Sequence, residues 1–323
     1  MIKENADWRK YNRPAKRHFL PERQIETDGV MNDYGYKKFQ NTFMMQGNHN
    51  LLFGKRNGSP VGLCFRSIFT NRSMNTLVLS NGAKGWGCYV LPNLLAGHTS
   101  SVIVGADSYI TKFISEFELK GINVMTVDFS KEIDYNNIRE KLTEEKTYLF
   151  VSLPNNSLEK KLVSDFLSEL TDELYRYGND HWNNEEQALK NSVHFYLCDF
   201  MSFQPHHDRC YIIDDFLKKL CISRNYGIGY SIISQMWRIK EAYNQNEEWE
   251  IISANADTHL ILSTGREDAD VEYIQEQTEL SNYSREDFRK MFWDEDKAIV
   301  KIKDCYPIIC DTLKIDDFKS KES

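Results

Sequence analysis

One segment constrains this chain more than any other: Leu77-Val-Leu-Ser-Asn-Gly-Ala-Lys-Gly-Trp-Gly-Cys-Tyr-Val-Leu-Pro-Asn-Leu-Leu95. It reads as a short buried strand, a glycine-rich turn and then a helix, which is the layout of a phosphate-binding loop. Such a loop has the form G-x-x-x-x-G-K-[ST]. Its backbone N–H groups cradle phosphates, its Lys neutralises them and its hydroxyl binds Mg²⁺. Here the lysine is Lys84, followed by Gly85 and Trp86, and neither Ser nor Thr occupies the magnesium-ligand position. The frame suits a nucleotide-binding α/β protein, while the residues that would do the chemistry are displaced.

The 323 residues suffice for one large α/β domain or two smaller ones. A hydrophobic fraction of 41% and an aromatic fraction of 13% argue for a folded core. The net charge of -8 removes any overall attraction to nucleic acid, leaving only a local patch. One such patch is N-terminal: Lys3, Arg9, Lys10, Arg13, Lys16, Arg17 and Arg23, set against Glu4, Asp7 and Glu22. It is a candidate DNA contact; the plainer alternative is a solvated arm. The seven cysteines are scattered without a CxxC pair, as expected for reduced, buried thiols of a cytoplasmic protein. A charged start without an apolar leader, and the lack of a bilayer-length apolar run, add the expectation of no signal peptide and no transmembrane segment.

Along the chain, residues 1–48 read as an irregular basic and aromatic arm interrupted by Pro14 and Pro21, 49–312 as the core domain and 313–323 as a tail. Leu51–Phe53 and Val61–Cys64 flank Asn57-Gly58, a hairpin signal. Strands are expected at 76–79, 101–104, 123–127, 148–152, 195–198, 229–234, 260–263 and 298–302. Helices are expected at 88–96, 110–119 (closing at Lys120-Gly121), 158–177, 212–223 and 239–243, with a loop at 178–191. Pro92 sits awkwardly within the first of these helices. Short β-branched runs between helices imply a mostly parallel central sheet with helices on both faces, an α/β fold.

Several blocks, taken in order from about residue 50 to residue 312, resemble the coupling proteins of type IV secretion, the conjugative DNA-transfer ATPases. They are Asn75–Leu95 with its continuation Tyr89-Val90-x-Pro92-Asn93-Leu94-Leu95; Ser100–Val127; Phe195-Tyr-Leu-Cys-Asp199-Phe-Met; Phe216–Lys240; Asn255-Ala-Asp-Thr258 with Asp268–Ile274; and Asp296-Lys-Ala-Ile-Val300 with Pro307. The resemblance implies a RecA-like P-loop NTPase fold. It also implies a nucleotide site made from Ser80, Asn81, Gly82, Ala83, Lys84, Gly85 and Trp86, with Asp199 ending the acidic strand and Gln235 sensing the γ-phosphate. Arg224 matches a family arginine near subunit contacts. The plainer readings are a strand-end hydrogen-bonding residue for Gln235 and a helix-terminal cation for Arg224.

The departures bear on activity. The family's acidic strand carries Asp then Glu, the Glu polarising the attacking water; here Phe200 follows Asp199. An Asp-Pro-Lys-Gly segment is replaced by Gly105-Ala-Asp-Ser-Tyr109, and the expectation is that the family's all-helical insert and membrane helices are absent. Phosphoryl transfer rests on positioning and charge neutralisation, and loss of one oriented group typically costs roughly hundredfold or more in rate. The leading expectation is therefore a pseudo-ATPase, a scaffold or ring subunit of a conjugation or secretion apparatus, with no catalytic residue assigned. It would work in a hexameric ring or hetero-oligomer with the proteins of that machinery, in the cytoplasm or held at the inner face of the membrane by partners. ATP with Mg²⁺ stands as a weak ligand, through Lys84 shifted by one position and an anion nest from Asn81, Gly82 and Gly85. Trp86 either fills the space vacated by metal and phosphate or faces a partner. The alternatives are an ATP-driven DNA translocase with an unorthodox loop and a stand-alone binding or regulatory module. His206, His207, Cys210 and His194 fit no standard zinc spacing, so no metal site is expected.

Overall fold

The computed structural model describes residues 29–43, 50–64, 74–80, 82–105, 112–153, 157–180, 191–198, 200–203, 211–235, 238–239, 242–243, 247–264 and 268–318. Its centre is an eleven-stranded sheet in the order β2-β1-β11-β10-β9-β3-β8-β7-β4-β6-β5. The strands are β1 Asn50–Arg56, β2 Ser59–Cys64, β3 Thr76–Leu79, β4 Ser100–Val104, β5 Asn123–Thr126, β6 Thr147–Val151, β7 Val193–Leu197, β8 Ile228–Ser234, β9 Thr258–Ile261, β10 Lys297–Ile302 and β11 Ile308–Asp311. The seven strands from β9 to β5 are mutually parallel. From β9 outward, β10, β11, β1 and β2 add in antiparallel fashion. The expected α/β class, with a mostly parallel sheet covered on both faces, is what this chain forms.

Alternation along the buried strands divides the core in two, because successive side chains leave a strand on opposite faces. Leu77 and Leu79, Val102 and Val104, and Phe195 and Leu197 join one cluster, covered by helices Tyr135–Glu144, Ser157–Asp180, Phe216–Ile222, Glu248–Asn255 and Asp268–Thr278. Val78, Ile103, Tyr196 and Ile233 join the other, covered by helices Asp33–Phe43, Leu91–Ala96 and Ile114–Leu119. Strands buried on both faces need apolar residues at every position, which is why they read as unbroken apolar runs.

The hairpin closes as its sequence predicts: Asn57 at φ 50° and Gly58 at φ 76° both take the positive dihedrals of a two-residue turn. Other expectations need correction. Residues 33–43, assigned to the irregular arm, form a helix that buries Tyr36 and Phe39. Residues of the tail are packed as well: Leu313 is buried and Asp317 pairs with Lys55 at 2.7 Å. The helix expected from 158 to 177 runs to Asp180, so residues 178–180 of the expected loop are helical, and 181–190 lie outside the described residues. The one expected at 212–223 begins at Phe216, after Asp215 with its positive φ, and passes into a 3-10 turn at Ser223–Tyr226. Cys88, Cys198, Cys221, Cys305 and Cys310 are free thiols, but only Cys305 and Cys310 of these are buried as expected; Cys88 and Cys198 are half-buried and Cys221 is exposed.

Candidate functional site

Open α/β sheets bind ligands beyond the carboxyl ends of their parallel strands, and three of the expected elements meet there. β3 lies between β8 and β9, with Leu79 in register with Ser234. β7 lies on the other side of β8, with Leu197 opposite Ile232. The segment after β3, the end of β8 at Gln235 and the turn after β7 therefore share one edge. Asp199 and Asn81 lie outside the described residues.

The connection from β3 to its helix is short. Leu79 ends the strand and helical residues begin at Gly82, so only Ser80 and Asn81 intervene. The Ser80 N–H extends the sheet ladder by donating to Ser234 O at 3.0 Å, and Ser80 is buried. A cradle needs several consecutive N–H groups turned inward, and the first of the expected set is committed to the sheet. Gly85 is helical, at φ -56° and ψ -44°. A Cβ there would lie 2.7 Å from Ile233 Cγ2, so this glycine lets the helix press against β8.

Lys84 also has its partners within the fold. Its ammonium donates to the carbonyl oxygen of Phe292, lies 3.7 Å from Asp296 Oδ1 and sits 5.0 Å from the centroid of the Trp293 ring. These groups come from the turn that leads into β10. With its side chain only 17% exposed, Lys84 ties the start of the helix to the base of that strand. Cys88, one turn on, shares the neighbourhood: burial first and the Asp296 carboxylate second push its thiol above the ordinary cysteine range, with Lys84 and Thr312 opposing. Ala83 is exposed, and Trp86 is half-buried against the second core cluster.

Phe200 follows the acidic strand where the resembling family carries its water-polarising carboxylate. It is fully buried, 5.1 Å from the ring of Tyr243 and 5.6 Å from that of Phe216. That position faces an apolar cluster, so a carboxylate there would be desolvated and unpaired. Gln235 is half-buried and its carbonyl accepts from Ile239 N–H at 3.3 Å and from Ser234 Oγ at 3.1 Å. Arg224 belongs to the 3-10 turn that precedes β8, at the other end of the strand from Gln235.

The continuation Tyr89–Leu95 has a structural explanation. Asn93 Oδ1 accepts from Leu52 N–H at 2.8 Å, and Asn93 Nδ2 donates to the carbonyls of Leu52 and Tyr89 at 2.8 Å each. It satisfies the inward backbone of β1 beside the bulge between Leu52 and Gly54. Tyr89 OH lies 2.6 Å from Ser231 Oγ, which lies 2.7 Å from His194 Nε2. Burial pulls His194 down to about 3, so it is a neutral member of this network. His206, His207 and Cys210 lie outside the described residues; among the described ones no group of three His, Cys, Asp or Glu is set to hold a metal. Sequence reasoning missed Phe292, Trp293 and Asp296 as partners of Lys84, since Phe292 lies 208 residues away and nothing local signals it.

No family model matches the sequence, and no curated protein does. Solved structures do. VirB4 of Thermoanaerobacter pseudethanolicus is 9% identical, over 83% of this chain and 97% of that one, at a TM-score of 0.48. EccC of Thermomonospora curvata (ATPases 2 and 3), in complex with a signal sequence peptide, is 10% identical over 85% of this chain and 41% of that one, at 0.45. The plasmid coupling protein TrwB, in complex with a non-hydrolysable GTP analogue, is 13% identical over 58% and 45%, at 0.39. All three TM-scores lie below 0.5, and none of these likenesses bears on the chemistry of the site.

Proposed function

We propose that this chain is a divergent, coupling-protein-like component of a conjugation or secretion apparatus, a RecA-like scaffold or ring subunit without ATP turnover. The family reading rests on the ordered sequence blocks. The loss of turnover rests above all on one observation: Lys84 is held by the Phe292 carbonyl, the Trp293 ring and Asp296. The two-residue connection after β3 and the buried Phe200 support the same reading. Freeing Lys84 for a phosphate would break a charge-assisted hydrogen bond, an ion pair and a cation–π contact together. The remaining donors are N–H groups of one helical turn, a modest anion site in competition with water.

The test is calorimetric titration of the full chain with Mg²⁺·ATP. A flat trace is expected up to about 1 mM nucleotide, where binding would contribute only about -4 kcal/mol. Micromolar affinity accompanied by phosphate release would replace the proposal with the translocase reading. Ring or hetero-oligomer membership is read separately, by light scattering of the chain mixed with an active secretion ATPase.

A further inference from the structure

The sheet ends at β5 on one side and at β2 on the other, and the two edges differ. β2 contains Pro60, which offers no N–H, and the Tyr36 hydroxyl already occupies the Pro60 carbonyl at 2.7 Å. Proline and a covering side chain are common means of blunting an edge. β5 has neither: residues 121–127 read Gly-Ile-Asn-Val-Met-Thr-Val, without proline or charge. While β4, β6 and β7 are buried throughout, Asn123 and Thr126 of β5 are exposed and Val124 and Met125 are half-buried.

Pairing with β6 fixes which way the backbone of β5 points. Asn123 N–H donates to Lys146 O at 2.9 Å and Val127 N–H to Phe150 O at 3.3 Å, with Met125 between them in register with Leu149. Val124 and Thr126, one residue out of phase, therefore turn their N–H and C=O groups away from the sheet. Among the described residues nothing pairs with these groups.

The outward groups of Val124 and Thr126 are complementary to themselves. A second β5 laid antiparallel about a two-fold axis through Met125 sets Val124 opposite the partner's Thr126, and each N–H then meets a C=O. The β-branched pair lies on one face, and on the other Met125 meets the partner's Met125. The neighbouring registers are worse. One calls on Ile122, whose N–H is given to Phe117 O at 3.1 Å; the other calls on Asp128, whose carbonyl accepts from Lys131 N–H at 3.2 Å. We propose that β5 pairs with β5 of a second copy of this chain in this antiparallel register, making one sheet continuous through both copies. The proposal stands on the sheet edge alone; neither ATP turnover nor membership of a secretion apparatus enters it.

Sedimentation velocity of the full chain by itself tests this. The mean mass is expected to rise from monomer toward dimer with concentration, half-assembled at about 50 µM because one strand pair is a small contact. Thr126→Pro removes an outward donor and leaves the donors to β6 in place. It should weaken assembly about tenfold or more with an unchanged far-ultraviolet circular dichroism spectrum. A wild type still monomeric at about 300 µM overturns the proposal. So does a folded Thr126→Pro variant that assembles as well as the wild type. Should that variant misfold, a cross-link decides instead. Residues opposed in a non-hydrogen-bonded antiparallel pair stand about 4.5 Å apart at Cα, within disulfide reach. With oxidised glutathione, Met125→Cys should give a dimer joined through position 125 of both chains, located by mass spectrometry, and Asn123→Cys should give none through position 123. No bond through position 125, or equal yields from the two variants, overturns the pairing.

Discussion

Gly85 shows how one residue can serve packing where its sequence context suggests ligand binding. It stands where the helix after β3 presses on β8, with Ser80 atoms 3.4 Å and Ile233 Cγ2 2.7 Å from where a Cβ would stand. Its helical dihedrals impose no demand for glycine, so the demand is one of space. Gly85→Ala should therefore destabilise the fold by about 1–3 kcal/mol through overpacking. Urea unfolding followed by circular dichroism measures this; an unchanged midpoint would mean that the helix shifts without cost. The loop glycine was plain in the sequence, but its purpose was not, because the partner that crowds it sits in a strand nearly 150 residues away. Lys84 is the same case in electrostatic form: its type and position fit a phosphate, and contacts distant in sequence give it another task.

The helix after β3 carries the second lesson at the level of an element. Pro92 argues against a regular helix here, because it lacks an N–H and its ring crowds the carbonyl four residues back. The chain answers with a π turn over Trp86–Val90, in which Leu91 N–H reaches back to Trp86 O, before the α geometry resumes at Leu91–Ala96. Widening the ladder just ahead of the proline accommodates it without ending the helix. The helix was legible from its spacing and the conflict from the proline; the resolution was not, since π geometry has no spacing signature over one turn. The helix is then docked by Asn93. Asn93→Ala would strand the buried N–H and carbonyl of Leu52 and should cost about 2–4 kcal/mol, several hydrogen bonds' worth with desolvation. Thermal unfolding of that variant measures the loss, and Asn93→Asp should rescue only the bond from Leu52 N–H. A loss below about 0.5 kcal/mol would remove the docking role. By contrast helix Asp33–Phe43 was hidden, because Gly35 and a spacing of two apolar anchors, Tyr36 and Phe39, give a weak helical pattern. Its order comes from packing on the hairpin, where the Tyr36 hydroxyl donates to Pro60 O at 2.7 Å.

Over the whole molecule, parallel strands were the most legible part, since burial on both faces writes itself as continuous β-branched runs. The four antiparallel strands were harder to place, because their order is set by pairings between the two ends of the chain. The molecule also stores a common pH response in two separate places. His194 in the sheet centre is pulled by burial down to about 3, and His259 near the start of β9 to about 4, with burial leading and the Lys301 charge contributing. In the unfolded chain both take up a proton near pH 6.5. Between those values the unfolded state binds more protons, so stability is full above about pH 6.5 and falls as pH drops. The expected slope is about 1.4 kcal/mol per pH unit for each histidine. Urea midpoints at about pH 7 and pH 5 should differ accordingly, and His194→Gln should roughly halve the slope. Equal midpoints would show that neither ring stays neutral in the native state.

β1, near the start of the fold, pairs with β11 near its end, Lys55 opposite Asp311. A chain emerging from the ribosome thus carries the β1–β2 hairpin with its inner edge unpaired, and later β10 with its outer edge unpaired, until β11 is made. Two open ladders waiting for one late strand are an invitation to pair with neighbouring chains. Truncation just short of Ile308 should accordingly convert a well-behaved product into inclusion bodies, even though every parallel strand has been synthesised.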